Sequence, residues 1–181
     1  MDDKANKSTW PRLTQLQDED AIRDQFSDLL GTIDDEEHKL TNNTTFPFDI
    51  INQIGNLSYE ELACYSELQL EEWLWDLSRA LFRIQVHENR INKILGWINS
   101  KLNKAISLMP PDLMNYVERD VKYHMMANRY LVVRYLLSER DKYQQEQVHW
   151  TKIHNEISRR DRMMWHILNK QHENQRNNAT V

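Results

Sequence analysis

Between Leu70 and Ala105 the chain reads LEEWLWDLSRALFRIQVHENRINKILGWINSKLNKA. Apolar residues recur there at alternating steps of four and three, the a/d seam of a helix that packs along another helix. The seam consists of Leu70, Leu74, Leu77, Leu81, Ile84, Ile91, Leu95, Ile98, Leu102 and Ala105. Its one polar position is Glu88. This stretch predicts a long helix that buries one narrow face.

The composition extends this prediction to the whole chain. Its 181 residues include only three glycines and four prolines, so the usual turn formers of a sheet protein are scarce. Charged residues make up 28% of the sequence, and the mean hydropathy is −0.79. These values are typical of long solvated helices that each bury one stripe. We therefore expect an all-α protein of one domain with tails.

Two long helices are expected around a double proline. The motif Ser58-Tyr59-Glu60-Glu61 is a capping box that begins the first helix, with a break near Ser66 as an alternative. Pro110-Pro111 ends that helix and starts the second, which continues through Ile167, with a division at the weaker capping signal Ser138-Glu139-Arg140-Asp141 as an alternative. Because so short a link forces the chain to turn back, we predict a long antiparallel helical hairpin or coiled coil.

The predicted hairpin indicates which residues face Glu88 and which apolar residues remain uncovered. Glu88 would lie opposite Val132, so we expect a structural ion pair between Glu88 and Arg134 that fixes the register. Apolar residues from Trp150 to Ile167 extend beyond the overlap of the two helices and would remain uncovered. Self-association is the natural way to cover them, and we expect a homo-oligomer.

Three segments are predicted along the chain. Residues 1–57 form a loosely ordered acidic N-terminal arm with one short helix, from Asp18 to Leu30, which Gly31 closes. Three roles of the arm stay open: its apolar face docks on the main helices, it docks on a partner, or the arm masks a basic surface. Residues 58–172 form the helical hairpin domain, and residues 173–181 form a disordered tail.

Several features predict a cytoplasmic protein that has no contact with membranes. Cys64 is the only cysteine, which excludes an internal disulfide and is typical of a reducing compartment. The first residues lack the apolar stretch of a secretory leader, and no run of about 18 apolar residues occurs.

Charge is distributed unevenly along the chain. Residues 1–110 contain 11 Lys and Arg against 19 Asp and Glu, whereas residues 111–181 contain 12 against 9. The net charge is −5. This asymmetry has two interpretations: the two parts pair with each other, or the basic part binds an anionic partner.

A candidate single-strand-binding surface follows the double proline. Tyr116, Tyr123 and Tyr130 are spaced by seven and alternate with cations, the combination that stacks on unpaired bases and holds phosphates. In the alternative interpretation the tyrosines flank the core and the cations are solvated. The candidate residues are Lys101, Lys104, Arg119, Lys122, Tyr123 and Arg129, with Arg134 nearby, and Arg159 and Arg162 in a second cluster. Arg160 falls on the seam, where we expect it to pair with a carboxylate.

Catalytic and metal motifs are not found. Glu146 and His149 have the spacing of a di-iron helix, but no second such pair accompanies them. We find no helical zinc motif, phosphate-binding glycine loop or nucleophile elbow. We expect a non-catalytic protein without metal or cofactor.

Part of the chain, from about residue 70 to 170, resembles the UvsY-type recombination mediators of tailed phages. The similarity consists of Leu81-Phe82-Arg83-Ile84-Gln85-Val86-His87-Glu88 in a long helix, a spacer, and Ile157-Ser158-Arg159-Arg160 followed by Ile167. The resemblance implies a ring-like oligomer in the cytoplasm of a phage host. Such a protein binds single-stranded DNA and loads a recombinase onto strands coated by single-strand-binding protein. The alternative is a helical structural or adaptor protein that binds other proteins without nucleic acid.

Overall fold

The computed structural model of the protein describes residues 18–41, 46, 48–109 and 117–179, and these residues are overwhelmingly helical. Within those ranges there are six helices and no strand. They are α1 (Glu19–Thr41), α2 (Phe48–Gly55), α3 (Tyr59–Ala63), α4 (Glu67–Ser107), α5 (Arg119–Ala127) and α6 (Leu131–Ala179). The predicted all-α fold is confirmed.

The first long helix begins later than its capping box suggested. Ser58 and Glu61 form that box: the Glu61 amide donates to the Ser58 hydroxyl at 3.2 Å, and the Ser58 amide donates to the Glu61 carboxylate at 2.7 Å. The box begins only the five-residue helix α3. Ser66 then accepts a hydrogen bond from the Gln69 amide at 3.3 Å and starts α4 in the same way. The alternative with a break near Ser66 is therefore confirmed.

The predicted seam of α4 is buried almost throughout. Nine of its ten apolar residues are at most 8% exposed, and only Leu81 is half-buried. A second row lies beside it and includes Trp73, Ala80 and Ile94, at 6%, 0% and 0% exposure. Because two adjacent rows are covered, α4 buries a wider face than a two-helix coiled coil would need.

The chain forms two compact units. Of the described residues, unit one contains those within Met1–Asp35 and Ile91–Glu146, and unit two contains those within Glu36–Arg90 and Gln147–Val181. Their boundaries fall inside α1, α4 and α6 and do not coincide with the predicted boundaries at residues 57 and 172.

In unit one, α1 packs against α4 and α6 through Phe26. Its ring lies 5.4 Å from that of Trp97 and 6.1 Å, edge to face, from that of Tyr143. Ile22 and Phe26 are only 3% and 4% exposed. This part of the chain belongs to the core, so the alternative in which the arm docks its apolar face on the main helices is confirmed for these residues. Residues 1–17 of that arm lie outside the described residues.

The helix α1 is also longer than predicted. Gly31 does not end it, because the buried stripe continues to Ile33, at 4% exposure, and the helix follows it to Thr41. A Cβ atom at Gly31 would meet nothing within 4 Å, so this glycine occupies an ordinary open helical position.

In unit two, α4 and α6 run antiparallel, as predicted. Glu67, at the start of α4, contacts His172 and accepts a hydrogen bond from Gln175 at 3.2 Å. Glu88, further along α4, contacts the earlier residues Thr151 at 3.4 Å and His154 at 3.0 Å. Later positions on α4 therefore meet earlier positions on α6.

The predicted register of this pair is wrong. Glu88 faces Thr151, which lies 19 residues beyond the expected Val132, and it pairs with His154 rather than with Arg134. The physical reason is the connection, because the separate helix α5 lies between α4 and α6. The expected single second helix is therefore two helices, and Pro110-Pro111 lies outside the described residues.

The shifted register also covers the residues that were expected to remain exposed. Ile157, Met164 and Ile167 are 2%, 0% and 2% exposed, and they belong to a core that also contains Ile54 and Leu62. The argument for self-association from this segment is therefore wrong. The predicted tail starting at residue 173 is wrong as well, because α6 continues to Ala179.

Arg160 joins the early part of unit two to α6. Its guanidinium donates to the carbonyl oxygens of Gly55 and Leu57, both at 2.6 Å, and lies 3.4 Å from the carboxylate of Glu156. The carbonyls at a helix C-terminus lack partners within the helix, so a cation there is favourable for α2. The predicted pairing of Arg160 with a carboxylate is confirmed, and its role as a cap for α2 is new.

We expect Arg160→Met to lower the free energy of unfolding by about 2 kcal/mol, because two carbonyls lose a charged donor at a site that is 16% exposed. Urea denaturation measures this change. The matched control is Arg159→Met, whose guanidinium is 66% exposed and which should change stability by less than about 0.5 kcal/mol. Equal effects of the two substitutions would contradict the capping role.

The contact between Glu67 and His172 predicts a dependence of stability on pH. Hydrogen bonds from His172 and then Gln175 lower the pKa of Glu67 from 4.5. A lowered folded-state pKa contributes stability above the unfolded value, and this contribution is lost as the pH falls through the folded value. We expect Glu67→Gln to reduce the loss of stability measured by urea denaturation between about pH 5 and pH 3.

His172→Gln serves as the companion variant because it removes the main cause of the lowered pKa. It should also reduce the acid dependence, and the double variant should add little to either single change. Full additivity of the two changes would exclude the pairing as their cause.

Candidate nucleic-acid interface

The predicted nucleic-acid-binding residues lie in both units. Lys101 and Lys104 lie near the end of α4, Arg119, Lys122 and Tyr123 in α5, and Arg129 in the turn before α6. All six belong to unit one, as does Arg134. Arg159 and Arg162 lie on α6 in unit two.

Tyr123 is part of the core of unit one. It is 3% exposed, and its hydroxyl donates to the side-chain oxygen of Asn103 at 2.8 Å and accepts from Nε of Arg119 at 3.0 Å. Tyr130 is 5% exposed. A buried ring cannot stack on a base, so the predicted stacking role of these tyrosines is wrong and the alternative, that they flank the core, is correct. Tyr116 lies outside the described residues.

Cations lie over the ring of Tyr123. The guanidinium carbons of Arg140 and Arg119 lie 5.2 Å and 5.9 Å from its centroid, within the range of cation–π attraction. Arg140 also approaches the carboxylate of Asp120 at 3.5 Å. The sequence analysis did not identify Arg140 as a member of this cluster, because no short motif indicates that α6 brings it to α5.

Arg119 links α5 to the end of α4. Its guanidinium contacts the side-chain oxygen of Asn103, the residue before Lys104, in addition to Tyr123. Lys104 is exposed in the last turn of α4. Lys101 is half-buried, donates to Gln25 at 2.8 Å and lies 5.0 Å from the ring centroid of Trp97. Lys104 and Arg119 therefore lie at the same end of unit one, while Lys101 contributes to packing.

The remaining cations of unit one differ in exposure. Arg129 and Arg134 are exposed, and Lys122 is half-buried. Two carboxylates on the same segment, Glu118 and Asp120, are exposed as well. The surface therefore carries both signs of charge, with exposed cations on α4, on α5 and at the start of α6.

The second basic cluster lies in unit two and is largely paired. Arg159 donates to the Glu156 carboxylate at 2.8 Å, and Nε of Arg162 donates to the carbonyl of Ser158 at 3.2 Å. The hydrogen bond from Arg159, followed by smaller effects that include Arg160, lowers the pKa of Glu156. Arg159 and Arg162 are exposed, as predicted.

One group of metal-ligating side chains occurs among the described residues. Glu67, Glu71 and His172 bring their ligand atoms within 4.8 Å of one another. Glu67 already accepts hydrogen bonds from His172 and Gln175, which explains the arrangement without an ion. No helix in the described part of the chain is long and apolar enough to cross a membrane.

The hydrogen bond between Tyr123 and Asn103 predicts an energetic coupling in unit one. Tyr123→Phe and Asn103→Ala each remove it, so the double variant should be more stable than the sum of the two single effects predicts, by about 1 kcal/mol. A double-mutant cycle from urea denaturation measures this coupling. Additive effects would show that the buried hydroxyl finds an equivalent partner elsewhere.

No family model, curated protein or solved structure matches the chain.

Proposed function

We propose that this protein is a non-catalytic, oligomeric recombination mediator that binds single-stranded DNA. In this role it would help load a recombinase onto strands coated by single-strand-binding protein. The observation that carries the proposal is the contact of Arg119 with Asn103, because it places a guanidinium of α5 next to the turn that contains Lys104. Arg129 and Arg134 are also exposed, and they add two cations to the surface of unit one.

The proposed binding mode relies on phosphates rather than on bases. Tyr123 and Tyr130 are buried, so the described residues favour an electrostatic contact with the backbone of the strand. Such contacts release counterions and are independent of sequence. Binding is therefore expected to be weakly selective for sequence and strongly dependent on salt.

A helical adaptor that binds other proteins is the second candidate function. Five large apolar side chains in unit two support it, because each is more than half exposed. They are Leu40, Phe48, Leu68, Trp75 and Phe82. An adaptor would bind its partner with no measurable affinity for nucleic acid.

Binding of a labelled oligonucleotide, measured by fluorescence anisotropy over a range of salt concentrations, tests the proposal. We expect the logarithm of affinity to fall linearly with the logarithm of salt concentration. Arg119→Ala or Lys122→Ala should reduce this slope by about 0.7 for each phosphate that the variant no longer binds.

Arg119 also contacts Tyr123, so Arg134→Ala provides a variant outside that hydrogen-bond network. Lys142→Ala is the matched control, because Lys142 is 64% exposed and lies beside Glu139 at 3.7 Å. No binding of the wild-type chain at low salt would exclude the mediator and favour the adaptor.

A further inference from the structure

An exposed apolar stripe follows the first half of α4 in unit two. Leu68, Trp75 and Phe82 are spaced by seven residues and are 67%, 69% and 55% exposed. A spacing of seven places side chains on one side of a helix. This stripe is separate from the buried seam and from the cations of unit one. Exposed apolar groups of this size and regularity mark an interaction surface.

One concave space borders this stripe, and a second shares Arg79 and Arg83 with the first. The first, of about 350 Å³, is lined in part by Leu40, Trp75 and Phe82. The second, of about 530 Å³, is lined in part by Phe46 and Phe48. Both also contain Arg79 and Arg83 in their walls. Space beside an exposed aromatic row allows side chains of a partner helix to insert between the rings.

We propose that this stripe binds a second copy of the chain through an antiparallel α4–α4 contact with a two-fold axis at Trp75. Such an interface must be self-complementary, because the same surface is used twice. Leu68 and Phe82 are equally far from Trp75 along the helix. The axis therefore brings Leu68 of one copy level with Phe82 of the other, and the two Trp75 rings meet at the centre.

The charges beside the stripe select the antiparallel arrangement. Glu71 and Glu72 lie four and three residues before Trp75, and Arg79 lies four residues after it. The two-fold axis therefore brings both carboxylates close to the level of Arg79 in the other copy. A parallel pair would instead place Glu71 against Glu71 and Arg79 against Arg79, which like-charge repulsion disfavours.

These charged groups are accessible for pairing between copies, and the hydrogen bond that Glu72 accepts from Gln69 in its own helix, at 3.3 Å, lies at the surface. Glu71 and Glu72 are exposed, and the guanidinium of Arg79 is 50% exposed. Among the described residues, Arg79 pairs with Asp76 at 3.8 Å, a long contact that costs little to exchange.

This inference deepens the self-association in the proposed function and uses residues that do not belong to the candidate nucleic-acid interface. Sedimentation velocity of the full chain over a range of concentrations tests it. We expect concentration-dependent association, and Trp75→Glu should raise the dissociation constant at least about tenfold. The matched control is Trp165→Glu, because Trp165 is 49% exposed on α6 and should tolerate the change without effect on association.

A charge exchange tests the orientation. Arg79→Glu alone should weaken association, because it places like charges on both sides of the interface. The triple variant Glu71→Arg/Glu72→Arg/Arg79→Glu should restore association toward the wild-type value. All these positions are exposed, so the variants should fold, and circular dichroism verifies this.

Three results would overturn the inference: a monomer at all concentrations, equal effects of Trp75→Glu and Trp165→Glu, or no recovery in the triple variant. Oligonucleotide binding is measured on the same samples. A dimer without affinity for DNA would remove the mediator and keep this interface. A monomer that binds DNA would remove this interface and the oligomeric part of the proposed function, and keep the DNA binding.

Discussion

The structure depends on the burial of two adjacent apolar rows of α4. One row contains Leu77 and Ile84, and the other contains Trp73 and Ala80, all at most 6% exposed. A single helical neighbour covers only a narrow seam, so the second row requires additional packing partners. In unit two these partners are α6 and the short helices α2 and α3, which supply Ile157, Ile54 and Leu62 to the same core. In unit one α1 packs beside α4 through Phe26.

Short helices create many unpaired backbone groups, and side chains of α6 satisfy several of them. Arg160 donates to the carbonyls of Gly55 and Leu57, and Gln171 donates to those of Ala63 and Tyr65, at 3.3 Å and 3.2 Å. Glycine and proline are scarce in this chain, so the polar side chains of a long helix take over part of the stabilisation of the turns. The charge of Arg160 is therefore used for structure, while that of its neighbour Arg159 remains at the surface.

In the candidate nucleic-acid interface, burial likewise separates residues that stabilise the fold from residues that remain at the surface. Tyr123 has the aromatic ring and hydroxyl that a single-strand binder would use, yet both are committed to the packing of α5 against α4. Cations such as Lys104 and Arg129 lie at the surface, where an anionic ligand can reach them. The sequence analysis identified these cations correctly as solvent-facing. It could not decide whether Tyr123 and Tyr130 are exposed or buried, because a spacing of seven is typical of both a core face and a binding face.

The sequence by itself determined the helical fold, the seam from Leu70 to Ala105, the capping box at Ser58 and the pairing of Arg160 with a nearby carboxylate. Each of these follows from local periodicity or from contacts a few residues apart. Only the tertiary structure decided the partner of Glu88, the burial of Ile157, Met164 and Ile167, and the cluster of Arg119, Tyr123 and Arg140. These depend on the register between α4 and α6, and the register is set by a connection that contains its own helix. A heptad pattern fixes which face of a helix is buried, but it is satisfied equally well after a shift of whole heptads, so the pairing of distant residues cannot be read from it.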